Sequence, residues 1–166
     1  MPEFLTTSDG HRIAYKKTTG SGPTLIWCGG LKSDMEGTKA VHLEAWAKSN
    51  GRAYIRFDYF GHGQSSGDFI DGTLSRWSAD IGTIHQQICG GSVILVGSSM
   101  GGWAALLAAL DHPETIAGLV LIILRQILPR NSQWQVGAKR RLKHWKMMES
   151  YMNHQAMMNP MPIPKP

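Results

Sequence analysis

The sequence predicts an α/β fold built on a mostly parallel sheet. Two observations carry this. Short apolar runs alternate with helix-length amphipathic stretches, the spacing of βαβ units. The apolar runs are also continuous, as strands are when helices cover both faces of a sheet. Hydrophobic residues make up 42% of the 166 and charged ones 17%, which supplies one domain's core and excludes a disordered polar chain.

The elements follow in order. Phe4 to Thr7 and His11 to Lys17 flank Asp9-Gly10, a hairpin turn signal, and Gly20-Ser21-Gly22-Pro23 closes the hairpin. Thr24 to Trp27 is a short apolar strand that runs into the loop Cys28 to Asp34. Thr38 to Lys48 reads as a helix with Val41, Ala45 and Trp46 on its buried face and Gly51 just past its end. Ala53 to Phe57 is the next strand, followed by a polar loop from Asp58 to Gly72. Thr73 to Ile88 reads as a helix with Leu74, Trp77, Ile81 and Ile84 inward. Ser92 to Val96 is the third strand of the series. Met100 to Leu110 is its helix, closed by Asp111-His112-Pro113. Ile116 to Leu124 is the fourth strand.

Composition changes abruptly at Arg125. Residues 1–124 carry 9 Lys+Arg and 11 Asp+Glu; residues 125–166 carry 8 Lys+Arg and only Glu149. Six of the nine methionines and five of the eight prolines also fall in the last segment. The chain therefore divides into a folded unit, 1–124, and an irregular basic tail, 125–166. Two cysteines, Cys28 and Cys89, are too few for a disulfide scaffold and fit a reducing compartment, so a cytoplasmic location is expected. The first residues have neither the basic nor the apolar region of a signal peptide. The longest apolar run, Ile116 to Leu124, is under half a membrane span. There is no dinucleotide fingerprint and no G-x-x-x-x-G-K-[ST].

The chemistry sits in Gly97-Ser98-Ser99-Met100-Gly101, a G-x-S-x-G placed directly between a strand and a helix. A sharp strand-to-helix turn strains the backbone of its central serine and crowds the neighbouring Cβ positions. Gly97 and Gly101 leave those positions empty. Ser99 Oγ then projects from the carboxyl edge of the sheet as a nucleophile. The Met100 N–H, at the start of the helix, can face a developing oxyanion. A second donor is expected from the loop after the first strand of the series, and the N–H of Leu31 in Gly29-Gly30-Leu31 is the candidate.

These features carry a resemblance to the α/β-hydrolase superfamily: Asp58-Tyr59-Phe60-Gly61-His62-Gly63-Gln64-Ser65 after a strand, Gly97 to Gly102 at the turn, and His112-Pro113-Glu114 after the helix. Within it the chain resembles the ABHD-ten branch of palmitoyl-protein thioesterases and acyl-glucuronide esterases, in its bacterial-type form. Met35 to Ala40, Ile55 to Tyr59, Gly72-Thr73, Trp77 and Leu95 to Trp103 carry the closer match. The resemblance covers residues 1 to about 124, the N-terminal half of such a domain. It implies acyl transfer: Ser99 attacks an ester or thioester carbonyl, Leu31 and Met100 hold the oxyanion, and the acyl-serine is hydrolysed. The implied partner is a small-molecule ester or thioester. No cofactor or metal is implied, and no nucleic acid is expected.

The order Ser, then Asp or Glu, then His is not completed. Asp111 to Glu114 ends a helix in this family. Glu149 and His154 have the right order but no strand–loop context, and His144 has none either. His62 is expected to be structural. His11, His42 and His85 stand alone and are expected to face solvent. The chain is therefore expected to be an impaired hydrolase. One rival is a non-catalytic binding protein using the Gly29–Asp34 loop and the turn as a cleft. Another is a membrane or nucleic-acid binder acting through the tail.

The tail suggests a shifted reading frame. Read one base earlier, Met158-Asn159 must give Glu and Met161-Pro162 must give Ala. The remaining codons then allow Glu-Pro-Tyr-Ala-Tyr-Thr-Lys, which resembles the family's lid. The same shift across Leu124 to Arg130 allows Pro-Asp-Phe-Thr-Glu-Lys. Taken as written, Ala138 to Met152 could form a basic amphipathic helix, but a solvated irregular segment is expected. Four parallel strands leave the fourth at an edge, so marginal stability and self-association through that edge are expected.

Overall fold

The computed structural model describes residues 1–122. Six strands form one sheet: β1 (Glu3–Thr6), β2 (Arg12–Thr18), β3 (Ser21–Cys28), β4 (Arg52–Phe57), β5 (Val93–Ser98) and β6 (Ile116–Ile122). Three helices connect the later strands: α1 (Thr38–Ser49), α2 (Leu74–Ile84) and α3 (Met100–Asp111). The spatial order is β1-β2-β4-β3-β5-β6, with β1 and β2 antiparallel and β3 to β6 parallel. The expected hairpin and four-strand parallel series are both present, and β6 lies at an edge of the described sheet. The boundary at 124, the tail helix and the shifted frame lie outside the described residues.

The period of two along each strand divides the core. Ile26, Cys28, Ile55, Phe57, Val93 and Leu95 face α2 and α3. Leu25, Trp27, Tyr54 and Val96 face the other side, with Ala40 and Ala47 of α1. Neighbouring strands β3 and β5 are thus followed by helices on opposite faces. Such a switch point opens a crevice at the carboxyl edge of the sheet. The register pairs Cys28 with Gly97, so the loops after β3 and β5 leave the sheet side by side.

Two expectations from the sequence fail for identifiable reasons. α1 does not bury Val41, Ala45 and Trp46; Val41 and Trp46 are among the exposed large hydrophobics, and Ala45 is exposed too. It turns Ala40, Leu43 and Ala47 inward instead. The small residues let the helix approach closely enough for the Tyr54 hydroxyl to donate to Ala40 O at 2.8 Å. The rotation also brings Glu44 Oε2 to Arg56 Nη2 at 2.8 Å. His85 is buried rather than solvent-facing. α2 continues as a π turn, His85–Cys89, and the His85 ring lies 3.1 Å from the Gly91 carbonyl.

Candidate active site

The turn after β5 has the geometry that the G-x-S-x-G pattern requires. Ser99 sits at φ 53°, ψ −116°, one of two non-glycine residues with positive φ among those described. Such a conformation costs on the order of 1–3 kcal/mol and persists only where its surroundings enforce it. The enforcement is visible on both sides. A Cβ on Gly97 would lie 2.6 Å from Gly102 Cα, and one on Gly101 would run into the Cys28 and Gly29 carbonyls. The Ser99 N–H donates to Ile122 O at 3.1 Å, and Ser99 O accepts from Gly102 N–H at 3.0 Å.

Met100 opens α3, so its N–H belongs to the first turn, where helix donors have no partner within the helix. The loop after β3 comes against the turn at Gly30, whose missing Cβ would stand 3.8 Å from Ser99 Cβ and 3.4 Å from Ser98 O. Leu31 follows, with its side chain exposed. The structure therefore brings together the loop bearing Leu31, the first turn of α3 bearing Met100, and Ser99. In this grouping Gly97 and Gly101 are the points where backbone must meet backbone.

The loop from Gly29 to Gly37 is held by the end of β4 and the segment after it. Asp58 is fully buried; its Oδ1 accepts from Met35 N–H at 2.6 Å and its Oδ2 from Gln64 N–H at 2.8 Å. Burial pushes the Asp58 carboxyl up, and the two amide donors pull it back. Arg56 donates to Met35 O at 2.7 Å and pairs with Glu36 and Glu44 at 2.8 Å each. His62 is buried, with Nε2 accepting from Lys32 N–H at 3.2 Å and Nδ1 3.1 Å from Phe60 O. Both ring nitrogens are thus committed, which gives His62 the structural place expected of it. A signal for these partners was present in the spacing Asp58-x-x-Gly61-x-Gly63. Gly61 and Gly63 both have positive φ, and a Cβ on Gly63 would collide with the Asp58 carboxyl.

Other nucleophiles and bases are placed elsewhere. Burial pushes the Cys28 thiol up to about 12, although the Tyr59 hydroxyl lowers it, and burial pushes Cys89 up to about 11. Neither is a thiolate near neutral pH. Asp111, His112 and Glu114 lie at the far end of α3 from Ser99, about 17 Å along twelve residues of helix. His112 there faces Gln86, at 3.3 Å. Glu149, His144 and His154 lie outside the described residues. Among the described residues no group of three or more His, Cys, Asp and Glu could hold a metal ion, and no helix is long and apolar enough to cross a membrane. A cleft of about 340 Å³ opens beside the loop, between Lys32–Asp34 and Gly61–Gly63, with Phe69 as a wall.

Comparison with known proteins agrees with this geometry. The Hydrolase_4 family, described as serine aminopeptidase, S33, matches residues 24–128, more than half of the chain. Human mitochondrial palmitoyl-protein thioesterase ABHD10 is 44% identical over 117 residues, covering 70% of this chain and 38% of that protein. The chain thus spans well under half the length of this curated relative. The structure of mouse ABHD10 superposes with a TM-score of 0.73 at 37% identity, over 84% of this chain and 59% of that one. A putative hydrolase from Agrobacterium vitis S4 superposes with a TM-score of 0.68 at 40% identity, over 73% and 51%. With the sheet order, the turn at Ser99 and this match in agreement, the chain belongs to the Hydrolase_4 family of α/β-hydrolases.

Proposed function

We propose that this chain carries the nucleophile half of a serine hydrolase that cleaves carboxylic esters or thioesters. The reading rests above all on Ser99, held at positive φ by backbone on both sides and facing the loop at Gly30. Ser99 Oγ attacks the carbonyl carbon, its proton passing to solvent water, and the carbonyl electron pair moves onto oxygen. The N–H groups of Leu31 and Met100 receive that oxyanion. Its collapse expels the alkoxide or thiolate and leaves acyl-Ser99, which water then cleaves. The thioester class is supported by the ABHD10 relatives, which are palmitoyl-protein thioesterases. It needs neither a cofactor nor a nucleic-acid partner.

By chain order no base for Ser99 is expected within residues 1–122, and the later histidines, His144 and His154, lack the context of a triad. Oxyanion and binding effects alone leave about 10³–10⁴-fold acceleration over water. The chain as written is therefore read as an impaired member. The composition break at Arg125 supports a frame change as the cause. The nucleotide sequence across codons 120–170 tests it. An open alternative frame that supplies Asp and His after strand-like runs supports that reading, and frames closed by stop codons overturn it.

Labelling with a fluorophosphonate tests the nucleophile. Labelling of the wild-type chain that is lost in Ser99→Ala supports the acyl-serine reading. No labelling at all favours the impaired form or the second reading, a non-catalytic binding protein. The cleft beside the loop, which Ser99 does not line, favours that reading.

A further inference from the structure

We propose that His62 is a positioning residue for the Leu31 donor, and that it acts by holding Lys32 in a strained backbone conformation. The inference rests on the acyl-serine reading of Ser99 and adds a residue to it. Lys32 has φ 56°, the second positive-φ non-glycine residue described, and it directly follows Leu31. An L residue there costs about 1–2 kcal/mol. Something must offset that cost. Lys32 Nζ lies 5.1 Å from the Phe69 ring centroid, but the contact on its backbone is the Lys32 N–H donating to His62 Nε2 at 3.2 Å.

The loop is gripped at two successive peptides. Gly30 O accepts from Ser33 N–H at 3.1 Å and from Ser33 Oγ at 2.6 Å. A peptide unit is planar, so fixing the Gly30 carbonyl fixes the direction of the Leu31 N–H in the same unit. His62 fixes the next unit through Lys32. Together the two grips leave the Leu31 N–H no free rotation about either flanking peptide.

His62 can do this because its own ring is immobilised. Its Nδ1 faces Phe60 O, which also accepts from Trp77 Nε1 at 3.1 Å, while the Phe60 N–H donates to Asp80 Oδ2 at 2.8 Å. The ring lies edge-on between Phe69 and Trp77, with centroids at 5.2 and 5.3 Å. Accepting at Nε2 requires the tautomer that carries its proton on Nδ1, and the Phe60 carbonyl selects that tautomer. The relay therefore runs from α2 through Phe60 and His62 to Lys32, and so to the donor beside Ser99.

The test compares wild type, His62→Gln and His62→Leu in the full chain. Glutamine can place an acceptor where Nε2 stands; leucine cannot. Amide hydrogen exchange is followed at Lys32 and at Met35, which Asp58 holds independently, together with the rate of fluorophosphonate labelling of Ser99. Expected for His62→Leu is exchange at Lys32 at least tenfold faster, Met35 nearly unchanged, and labelling about 10- to 100-fold slower, the scale of a misplaced catalytic group. His62→Gln should recover most of both. Unchanged exchange at Lys32 overturns the proposal, as does fast exchange with labelling at the wild-type rate. If wild-type Ser99 never labels, the chain is either impaired at Ser99 or non-catalytic, and Lys32 exchange alone decides whether His62 holds the loop. If His62→Leu does not fold, ring-nitrogen NMR of the wild-type chain decides: a bare Nε2 supports the proposal and an Nε2–H overturns it.

Discussion

Gly101 and Cys28 meet backbone to backbone: any Cβ on Gly101 would run into the Cys28 carbonyl at the end of β3. This contact seats the first turn of α3 directly on the strand that carries the Gly29–Gly37 loop. It joins the two halves of the candidate site without a side chain. The two neighbouring carbonyls, of Cys28 and Gly29, are backbone and cannot swing away.

Gly101→Ala is accordingly expected to destabilise the chain by about 3 kcal/mol or more, beyond the usual range for overpacking because backbone must shift. Gly91→Ala is the control. No atom lies within 4 Å of a Cβ there and the φ is ordinary, so the change should be neutral or slightly stabilising. Urea unfolding of both variants checks the pair. Equal midpoints would mean that α3 and β3 do not pack as described.

Ser99→Gly should raise stability by about 1 kcal/mol while abolishing fluorophosphonate labelling. Glycine adopts φ 53° without the Cβ conflict that serine carries. Ser99→Ala keeps that conflict and should stay near wild type. Thermal unfolding of the three proteins checks this. A Ser99→Gly protein less stable than wild type would show that no strain is stored at the turn.

These two predictions also mark what could be read from the sequence. The hairpin, the four parallel strands and the turn at Ser99 were legible because each rests on a local rule: apolar runs, a turn dipeptide, glycines flanking a serine. The inward face of α1 was not, because Glu44 turns toward Arg56, a partner that lies in the next strand. A pattern of apolar residues favours Val41 and Trp46 and has no term for that pair. His85 was misplaced because a π turn shifts the helical register after Ile84. The glycine spacing after Asp58 signalled a tight turn there, but not which residues of the Gly29–Gly37 loop Asp58 and His62 hold. Those contacts join residues 23 and 30 positions apart.

Acidification should first stabilise the protein. Burial pushes Asp80 up to about 6, although the Phe60 N–H, Arg76 and His11 lower it. Its folded pKa lies above the unfolded value of about 4, so the folded state binds more protons between them. Stability from this group is full below about pH 4 and is lost as pH rises through 6, a change on the order of 2–3 kcal/mol. Burial raises Asp58 in the same direction. Glu36 works oppositely: hydrogen bonds from Lys16 and Arg56 hold it low. Glu44 is also low, because Lys48 and Arg56 outweigh its burial. Their contribution is present above about pH 4.5 and lost below it. The maximum is therefore expected near pH 4.5, with stability falling from there to about pH 6. Asp80→Asn should remove most of the slope on the alkaline side of that maximum. Denaturant unfolding from pH 4 to 8 checks it, and an unchanged slope in the variant would assign the effect elsewhere.

β6 should drive self-association. Val120 and Leu121 are consecutive, so they point to opposite faces of the sheet, yet they are 48% and 39% exposed. The strand Ile116–Ile122 carries no charge and no proline, the features with which natural edges discourage pairing. Its hydrogen-bonding edge opposite β5 is open to a second strand in the described sheet. Val120→Lys puts a charge on one face while leaving the β5–β6 ladder intact. Sedimentation velocity at rising concentration should show wild-type chains associating and the variant remaining mostly monomeric. A second substitution, Leu121→Lys, separates the faces: if only one of the two variants dissociates the assembly, that face is packed and the other is merely exposed. If neither does, association runs through another surface, and the open edge of β6 is not what brings the chains together.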